Sequence, residues 1–170
     1  WNDGKDWGYQ YCGFILEIEK RSPEKVTEYN NHIYQRFDKG INYREAAEYC
    51  HMIGGKLVII NDSKENEFIQ ELINEDGTAA LYWIGLADLE KTKSASGFKW
   101  TDDSSCSYSN WAKTDSGSQP DCWCGSEFYG EIYKDGSFND NCNYTGGSEG
   151  FICELEKKVT SVSIYQLPSK

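Results

Sequence analysis

The chain has 170 residues, enough for one domain with a core of its own and a further segment. Its 17 basic and 28 acidic side chains give a net charge of −11, which argues against a nucleic acid or an anionic membrane surface as partner. No stretch approaches the roughly 18 apolar residues of a membrane-spanning helix, so membrane insertion is not expected. The acidity leaves room for a hard cation such as Ca²⁺, although an acidic surface can also serve solubility alone.

Seven cysteines are spread along the chain, a density typical of proteins that fold in an oxidising compartment. A zinc site is the alternative interpretation. Cys122 and Cys124 form a C-x-C pair instead of the C-x₂-C pair of zinc sites, and the chain has only two histidines, so zinc is disfavoured. We therefore expect an extracellular protein, secreted or on a cell surface, with disulfide bonds and at least one cysteine left over.

The first half of the chain predicts strands and two helices. Residues 24–40 contain short apolar and aromatic runs typical of strands, with a turn at 38–40. A helix is predicted from the N-cap residue Asn42 to Cys50, followed by a short buried strand at 56–60. Asp62 and Glu65 have capping-box spacing and open a second helix. Its apolar stripe is expected to lie in the core: Phe68, Ile69, Leu72 and Ile73.

The pattern changes after residue 80. Residues 81–86 predict a strand, and residues 87–126 are rich in Asp, Ser, Gly, Lys and Thr. A stretch this long with little regular structure usually carries function. Strands are predicted again at 131–133 and 150–154, with a turn at 134–136. The whole pattern predicts an α+β fold in which a loop region is held on a small sheet.

The two ends of the chain look foreign to this domain. Residues 1–3 and 12–17 echo residues 138–140 and 150–154. We interpret residues 1–22 as an N-terminal extension that is the tail of a preceding similar domain, with chance similarity as the alternative. Residues 23–157 then form the domain itself. Residues 158–170 turn polar and β-branched and are interpreted as a linker into a following domain.

Several motifs occur in one order along the chain: Trp83-Ile-Gly-Leu86, Phe98-Lys-Trp100, Asn110-Trp111, Gln119-Pro-Asp121, Glu127, Phe138-Asn-Asp140 and Phe151-Ile-Cys153. This ordered set resembles the C-type lectin family from about residue 30 to residue 157, and the first motif matches the family's core motif letter for letter. The resemblance implies the C-type lectin fold, with two helices packed on small antiparallel sheets and a long calcium-binding loop region.

The resemblance also implies a Ca²⁺ site made of five side chains: Gln119, Asp121, Glu127, Asn139 and Asp140. Their chemistry agrees, because calcium takes oxygen ligands and this set supplies amide carbonyls and carboxylates. In the family the peptide before Pro120 is cis, which turns both flanking side chains toward the ion. Two neighbouring sugar hydroxyls can then complete the shell. The alternative is an ordinary polar loop with coincidental acids.

The order Gln119-Pro120-Asp121 resembles the galactose-type sites of the family, whose mannose-type sites carry Glu-Pro-Asn here. Trp123 lies where galactose-binding members place an aromatic ring, which can stack on the apolar face of galactose or N-acetylgalactosamine. Simple packing within the loop is the alternative role for Trp123. The expected partners are glycans or glycoproteins, bound by Gln119, Asp121, Trp123, Glu127 and Asn139.

Some positions depart from the family pattern. Cys122 stands where members with a second calcium have an acid, which puts that auxiliary site in doubt. Tyr129 stands where the family's inner loop cysteine falls, so the usual second disulfide cannot form in its usual place. Phe138 replaces the usual Trp, a conservative apolar change.

The resemblance pairs Cys50 with Cys153, as the family's bridge between the first helix and the terminal strand. Four further cysteines are expected to cross-link the long loop in two bridges whose pairing is not readable: Cys106, Cys122, Cys124 and Cys142. Cys12 is then left over.

The sequence thus predicts a calcium-dependent binding module for galactose-type glycans. The alternative is an adhesin that uses the same fold to grip a protein surface, with calcium only stabilising the loop. An enzyme is not expected, because the common hydrolase, metalloprotease and P-loop motifs are absent from the sequence. Residues 126–140 resemble bacterial members of the family, and residues 159–170 resemble the opening of a bacterial immunoglobulin-like surface domain. Both resemblances indicate a modular bacterial surface or secreted protein.

Overall fold

A computed structural model describes residues 20–104, 106–114, 117–143 and 149–157. Within these ranges lie two helices, α1 (Tyr43–Met52) and α2 (Ser63–Asn74), and neither has the length and apolar content to cross a membrane. The strands are β1 (Lys25–Tyr29), β2 (His32–Phe37), β3 (Lys56–Leu57), β4 (Leu81–Ala87), β5 (Lys99–Trp100), β6 (Lys113–Thr114), β7 (Gly117–Ser118), β8 (Tyr129–Tyr133), β9 (Phe138–Asn141) and β10 (Glu149–Glu156). The predicted repeat in residues 1–19 and the predicted linker at 158–170 lie outside the described residues.

Eight of these strands form one sheet in the order β1-β2-β10-β4-β8-β9, with β3 beside β10 and β5 beside β4. Strands β10 and β4 run parallel, and the other pairings described for this sheet are antiparallel. Strands β6 and β7 form a separate two-stranded ribbon. The predicted α+β class is confirmed. The sheet is larger than the small antiparallel sheets expected, because the parallel pairing of β10 with β4 joins strands β1, β2 and β10 to strands β4, β8 and β9.

Strands β1 and β2 form a hairpin that the sequence analysis did not resolve. Its turn is made by Asn30 and Asn31, both in the left-handed region with φ of 46° and 71°. Asparagine tolerates this conformation better than most residues, which suits the turn to the twist of a hairpin. In the segment 38–40, where the sequence predicts a turn, the Asp38 side chain contacts residues of two strands. Asp38 Oδ1 lies 2.9 Å from Arg36 Nε and accepts a hydrogen bond from Tyr82 Oη at 2.8 Å.

Both helix starts follow the predicted capping residues. The Asn42 side chain accepts from the backbone N–H of Glu45 at 3.0 Å, and the Glu45 carboxylate accepts in return from the Asn42 N–H. Asp62 caps α2 by accepting from the N–H of Glu65 at 2.9 Å. The second capping box is incomplete, because the Glu65 carboxylate accepts from the N–H of Asn61 instead of Asp62.

The core consists of two clusters of buried side chains. The first contains the apolar face of α2, where Ile69, Leu72 and Ile73 are buried and Phe68 packs against them, as predicted. The second contains the buried face of α1 together with Trp83, Phe151 and the cysteine pair that joins α1 to β10. The two clusters pack against the sheet, and the long loop between β4 and β8 extends from that sheet.

The Cys50–Cys153 disulfide is present, with a Cα–Cα distance of 5.5 Å. It links the last turns of α1 to the middle of β10, which confirms the pairing implied by the resemblance. The prediction that all four loop cysteines form two bridges is wrong, because Cys106 and Cys122 are both free thiols. The expectation that Cys12 is left over lies outside the described residues.

Candidate functional site

The long loop between β4 and β8 is attached to β9 by backbone hydrogen bonds. Phe138 N–H donates to the Asn110 carbonyl at 2.7 Å, and Ala112 N–H donates to the Phe138 carbonyl at 2.9 Å. Gln119 N–H then donates to the Ala112 carbonyl at 2.8 Å. Residues 110–112 therefore lie between β9 and the segment that begins at Gln119. This layering brings Gln119-Pro120-Asp121 beside the strand that carries Asn139 and Asp140.

The Gln119–Pro120 peptide is cis, as the resemblance implied. The side chains on either side of the proline contact each other. Gln119 Oε1 accepts from the Asp121 N–H at 3.0 Å, and Gln119 Nε2 lies 3.4 Å from Asp121 Oδ2. The amide and the carboxylate of the motif thus share one side of the turn.

Asp140 fastens this turn to β9. Its side chain is buried, and both oxygens accept backbone hydrogen bonds from the turn: Oδ1 from the Asp121 N–H at 3.2 Å and Oδ2 from the Cys122 N–H at 2.9 Å. Burial raises the pKa of Asp140 above its usual range, while these two N–H donors act in the opposite direction. The Asp140 carboxylate therefore holds the turn in place and also contributes negative charge to the site.

Three carboxylates converge at this place. Asp121, Glu127 and Asp140 each offer one oxygen, and these oxygens all lie within 4.8 Å of one another. Partial burial, and then the neighbouring charges of Asp140 and Asp121, raise the pKa of Glu127 to about 7. A group of acids held this close favours protonation or a bound cation, since the like charges repel one another.

The donor set suits a hard divalent cation such as Ca²⁺. Two oxygens bound to one calcium at about 2.3–2.6 Å can be at most about 5.2 Å apart, and the carboxylate cluster satisfies this limit. Gln119 and Asn139 add amide oxygens, the first through its contact with Asp121 and the second as the neighbour of Asp140 on β9. The structure thus brings together the carboxylates of Asp121, Glu127 and Asp140, with the Gln119 amide in contact with Asp121. The membership of Gln119 and Asn139 in the ligand set stays a prediction.

Trp123 stands at the rim of this cluster. It begins a short 3₁₀ turn at Trp123–Gly125, and its backbone N–H donates to Asp121 Oδ1 at 3.0 Å. Its side chain is 75% exposed. Packing within the loop, the alternative role considered for Trp123, therefore accounts for little of its surface.

Glu131 is a member of the site that sequence reasoning missed. It lies on β8 directly opposite Asn139, is fully buried, and accepts hydrogen bonds from the side chains of Asn139 and Asn141. Burial raises the pKa of Glu131 to about 7, and the two amide donors oppose that rise. The sequence signal that could have identified Glu131 is a glutamate within a predicted strand, followed by two asparagines, Asn139 and Asn141, that share one face of the next strand.

The structure shows the surroundings of two residues that depart from the family pattern, Tyr129 and Cys122. Tyr129 is buried, its ring centroid is 4.4 Å from that of Tyr43, and its hydroxyl accepts from Arg44 Nε at 3.1 Å. The tyrosine thus fills the position where a family cysteine would stand. Cys122 is in the left-handed region, with φ of 51°, and its thiol lies 3.6 Å from the Glu127 carbonyl oxygen.

Sequence comparisons identify related proteins. The chain matches the Lectin C-type domain over residues 39–155. It is 35% identical to human asialoglycoprotein receptor 2 over 145 residues, which is 81% of this chain and 42% of the receptor. It is 31% identical to the rat receptor of that name over 158 residues, which is 89% of this chain and 48% of the receptor. The chain spans about half the length of these curated relatives.

Solved structures share the fold. The mouse scavenger receptor C-type lectin carbohydrate-recognition domain superposes with a TM-score of 0.67 at 27% identity, covering 81% of this chain and 98% of that domain. The C-type lectin CEL-I from Cucumaria echinata gives 0.66 at 25% identity, covering 82% of this chain and 100% of that one. These likenesses confirm the predicted C-type lectin fold. With the family match over residues 39–155, they establish that this chain belongs to the C-type lectin domain family.

Proposed function

We propose that this domain binds carbohydrate through one calcium ion and prefers glycans ending in galactose or N-acetylgalactosamine. The observation that carries the proposal is the convergence of Asp121, Glu127 and Asp140 beside the cis Gln119–Pro120 peptide. Three carboxylates within 4.8 Å of one another, flanked by two amides, form a donor set suited to calcium.

In this proposal Gln119, Asp121, Glu127, Asn139 and Asp140 hold the ion. Calcium supplies open coordination positions for two neighbouring sugar hydroxyls. The carboxylates of Asp121 and Glu127 accept hydrogen bonds from those hydroxyls, and the amide of Gln119 donates to them. Asn139 contributes through its oxygen, because both of its N–H bonds go to Glu131 and to the Asp140 carbonyl. Asp140 keeps the turn attached to β9, so the site is formed before the sugar arrives.

Two features support the galactose preference. The first is the order Gln119-Pro120-Asp121, with the amide before the proline and the acid after it. The second is the exposed ring of Trp123 at the rim of the site, available to stack on the apolar face of the sugar. Relatives named asialoglycoprotein receptor 2, from human and rat, support glycoproteins as the class of ligand.

A protein-binding adhesin is the second candidate function. One relative, 34% identical over 98 residues, is named a snaclec coagulation factor IX-binding protein subunit, so this fold occurs in a protein whose name gives a protein partner. In that case calcium would only stabilise the loop.

An extracellular location agrees with the Cys50–Cys153 disulfide and with membership of this family. The relatives named above are animal proteins, and the bacterial source suggested by residues 126–140 and 159–170 stays a prediction. No enzymatic reaction is proposed, since the relatives are lectins and lectin-like binding proteins.

A glycan array run in calcium and in chelator tests the proposal. We expect wild type to bind galactose-type glycans only in calcium, and Gln119→Glu/Asp121→Asn to shift toward mannose-type glycans. Gln70→Glu/Asp103→Asn makes the same two chemical changes outside the site and should behave as wild type. Absence of glycan binding by every variant in both conditions would overturn the lectin proposal. Binding to a protein that free sugars do not compete would favour the adhesin.

A further inference from the structure

Glu131 is a buried carboxylate that contacts a proposed calcium ligand without belonging to the ligand set. It is 0% exposed and lies in the middle of β8, paired in register with Asn139 on β9. Burying an ionisable group costs free energy unless its oxygens are satisfied. The hydrogen bonds that satisfy the Glu131 carboxylate therefore indicate its structural role.

Those contacts come from two side-chain amides. Asn139 Nδ2 donates to Glu131 Oε1 at 2.9 Å, and Asn141 Nδ2 lies 3.1 Å from Oε1 and 3.2 Å from Oε2. Asn139 Nδ2 also donates to the backbone carbonyl of Asp140 at 2.8 Å. Both N–H bonds of the Asn139 amide are thereby used, which leaves its carbonyl oxygen for another partner.

An ionised carboxylate accepts hydrogen bonds and cannot donate them. Opposite Glu131, the Asn139 amide presents its nitrogen, and its oxygen Oδ1 therefore faces the other way. The Asn141 amide also presents its nitrogen to Glu131, because its own Oδ1 accepts a hydrogen bond from the Cys142 N–H at 2.7 Å. A neutral amide at position 131 would keep one oxygen for both asparagines to share, but it would lose the negative charge and place an N–H group where Oε2 now faces Asn141 Nδ2.

We propose that Glu131 is a positioning residue of the carbohydrate site, holding the Asn139 amide with its oxygen toward the calcium ion. The inference rests on the proposed function, since it assigns the orientation of one ligand of that same site. Glu131 does not touch the ion. It acts through Asn139, and its charge adds to the negative potential of the carboxylate cluster.

Calcium titrations of four variants measure this role. Glu131→Gln should weaken calcium binding by about 10-fold or more, the usual effect of losing a group that orients a metal ligand. In the Asn139→Ala background the same change should have little further effect, because residues that act as a unit are not additive. Glu154→Gln is the matched control: Glu154 is also a buried carboxylate on a strand, bonded to the Ile59 N–H, and outside the site. It should leave calcium affinity unchanged.

A second readout needs no metal. In chelator, the side-chain amide protons of Asn139, assigned by their loss in Asn139→Ala, should exchange slowly with water in wild type. They should exchange faster in Glu131→Gln and stay slow in Glu154→Gln. If Glu131→Gln fails to fold, Glu131→Asp replaces it, since it draws the carboxylate back by one methylene and should weaken binding in the same way.

The outcomes separate the two proposals. If wild type binds calcium and Glu131→Gln binds it equally well, the positioning role is overturned and the proposed function stands. Equal loss of affinity in Glu131→Gln and Glu154→Gln would also overturn it, because the effect would then be a general one of core stability. If wild type takes up no calcium at all, both proposals fall.

Discussion

The charge of Glu127 should lower the free energy of unfolding of the calcium-free domain. The same charge should be required for calcium to stabilise the domain. Its carboxylate stands beside those of Asp121 and Asp140, and partial burial with these charges raises its pKa from 4.5 to about 7. Glu127→Gln keeps the shape of the side chain and removes the charge. We expect this variant to be more stable than wild type in chelator and less stable in calcium.

The size of the effect follows from the pKa of Glu127. A rise from 4.5 to about 7 corresponds to about 3 kcal/mol against the charged form at pH 8. Because the side chain is only partly buried, solvent screening reduces this to about 1 kcal/mol of stability. An acid whose pKa is raised by folding loses stability as pH increases from its unfolded to its folded pKa. The penalty is therefore complete above pH 7 and absent below about pH 4.5.

Thermal unfolding at pH 8 measures the effect. In chelator, Glu127→Gln should melt about 2–4 °C above wild type, the shift that about 1 kcal/mol produces in a domain of this size. At a calcium concentration one hundred times the dissociation constant, wild type should gain about 3 kcal/mol, and the variant should gain far less. The order of the two melting temperatures should therefore reverse between the two conditions.

Glu48→Gln, an exposed change on α1, is the matched control and should melt like wild type in both conditions. If Glu127→Gln melts below wild type in chelator, the argument from charge repulsion is refuted. If calcium stabilises the variant as much as wild type, Glu127 is not a ligand.

Three further changes test other parts of the structure. Replacing Cys50 and Cys153 by alanine should cost about 2–5 kcal/mol in urea unfolding, because the bond closes a loop with a separation of 103 residues; an unchanged midpoint would contradict this. Trp123→Ala should weaken galactose binding by about 1 kcal/mol, roughly fivefold, without changing calcium affinity; equal sugar affinity would exclude stacking. Asn42→Ala should destabilise the domain by about 1 kcal/mol, since it removes the cap of α1, and a neutral effect in urea unfolding would show that the cap contributes nothing.

Local chemistry made much of this domain predictable. The capping residues Asn42 and Asp62 signal helix starts through their own side chains, and the structure has both caps. The apolar stripe of α2 has the helical period, so its burial follows from the sequence. The five candidate ligands came from motifs in a fixed order, and that order reflects the layering of the loop on β9.

The features that were missed depend on contacts between distant parts of the chain. The parallel pairing of β10 with β4 joins segments more than sixty residues apart and leaves no local mark beyond two apolar strands. The sequence marks residues 138–140 as a ligand motif, and the role of residues 138–141 as strand β9 depends on pairing with β8. Glu131 became visible only when that pairing set it against Asn139. The two loop bridges were inferred from cysteine count alone, which carries no information about distance.

Calorimetric titration of the calcium-free chain, first with calcium and then with galactose or mannose, tests the central claim most directly. The account predicts uptake of one calcium ion per chain, followed by galactose binding that is tighter than mannose binding and that chelator abolishes. Galactose binding that persists in chelator, or a chain that takes up no calcium, would contradict it.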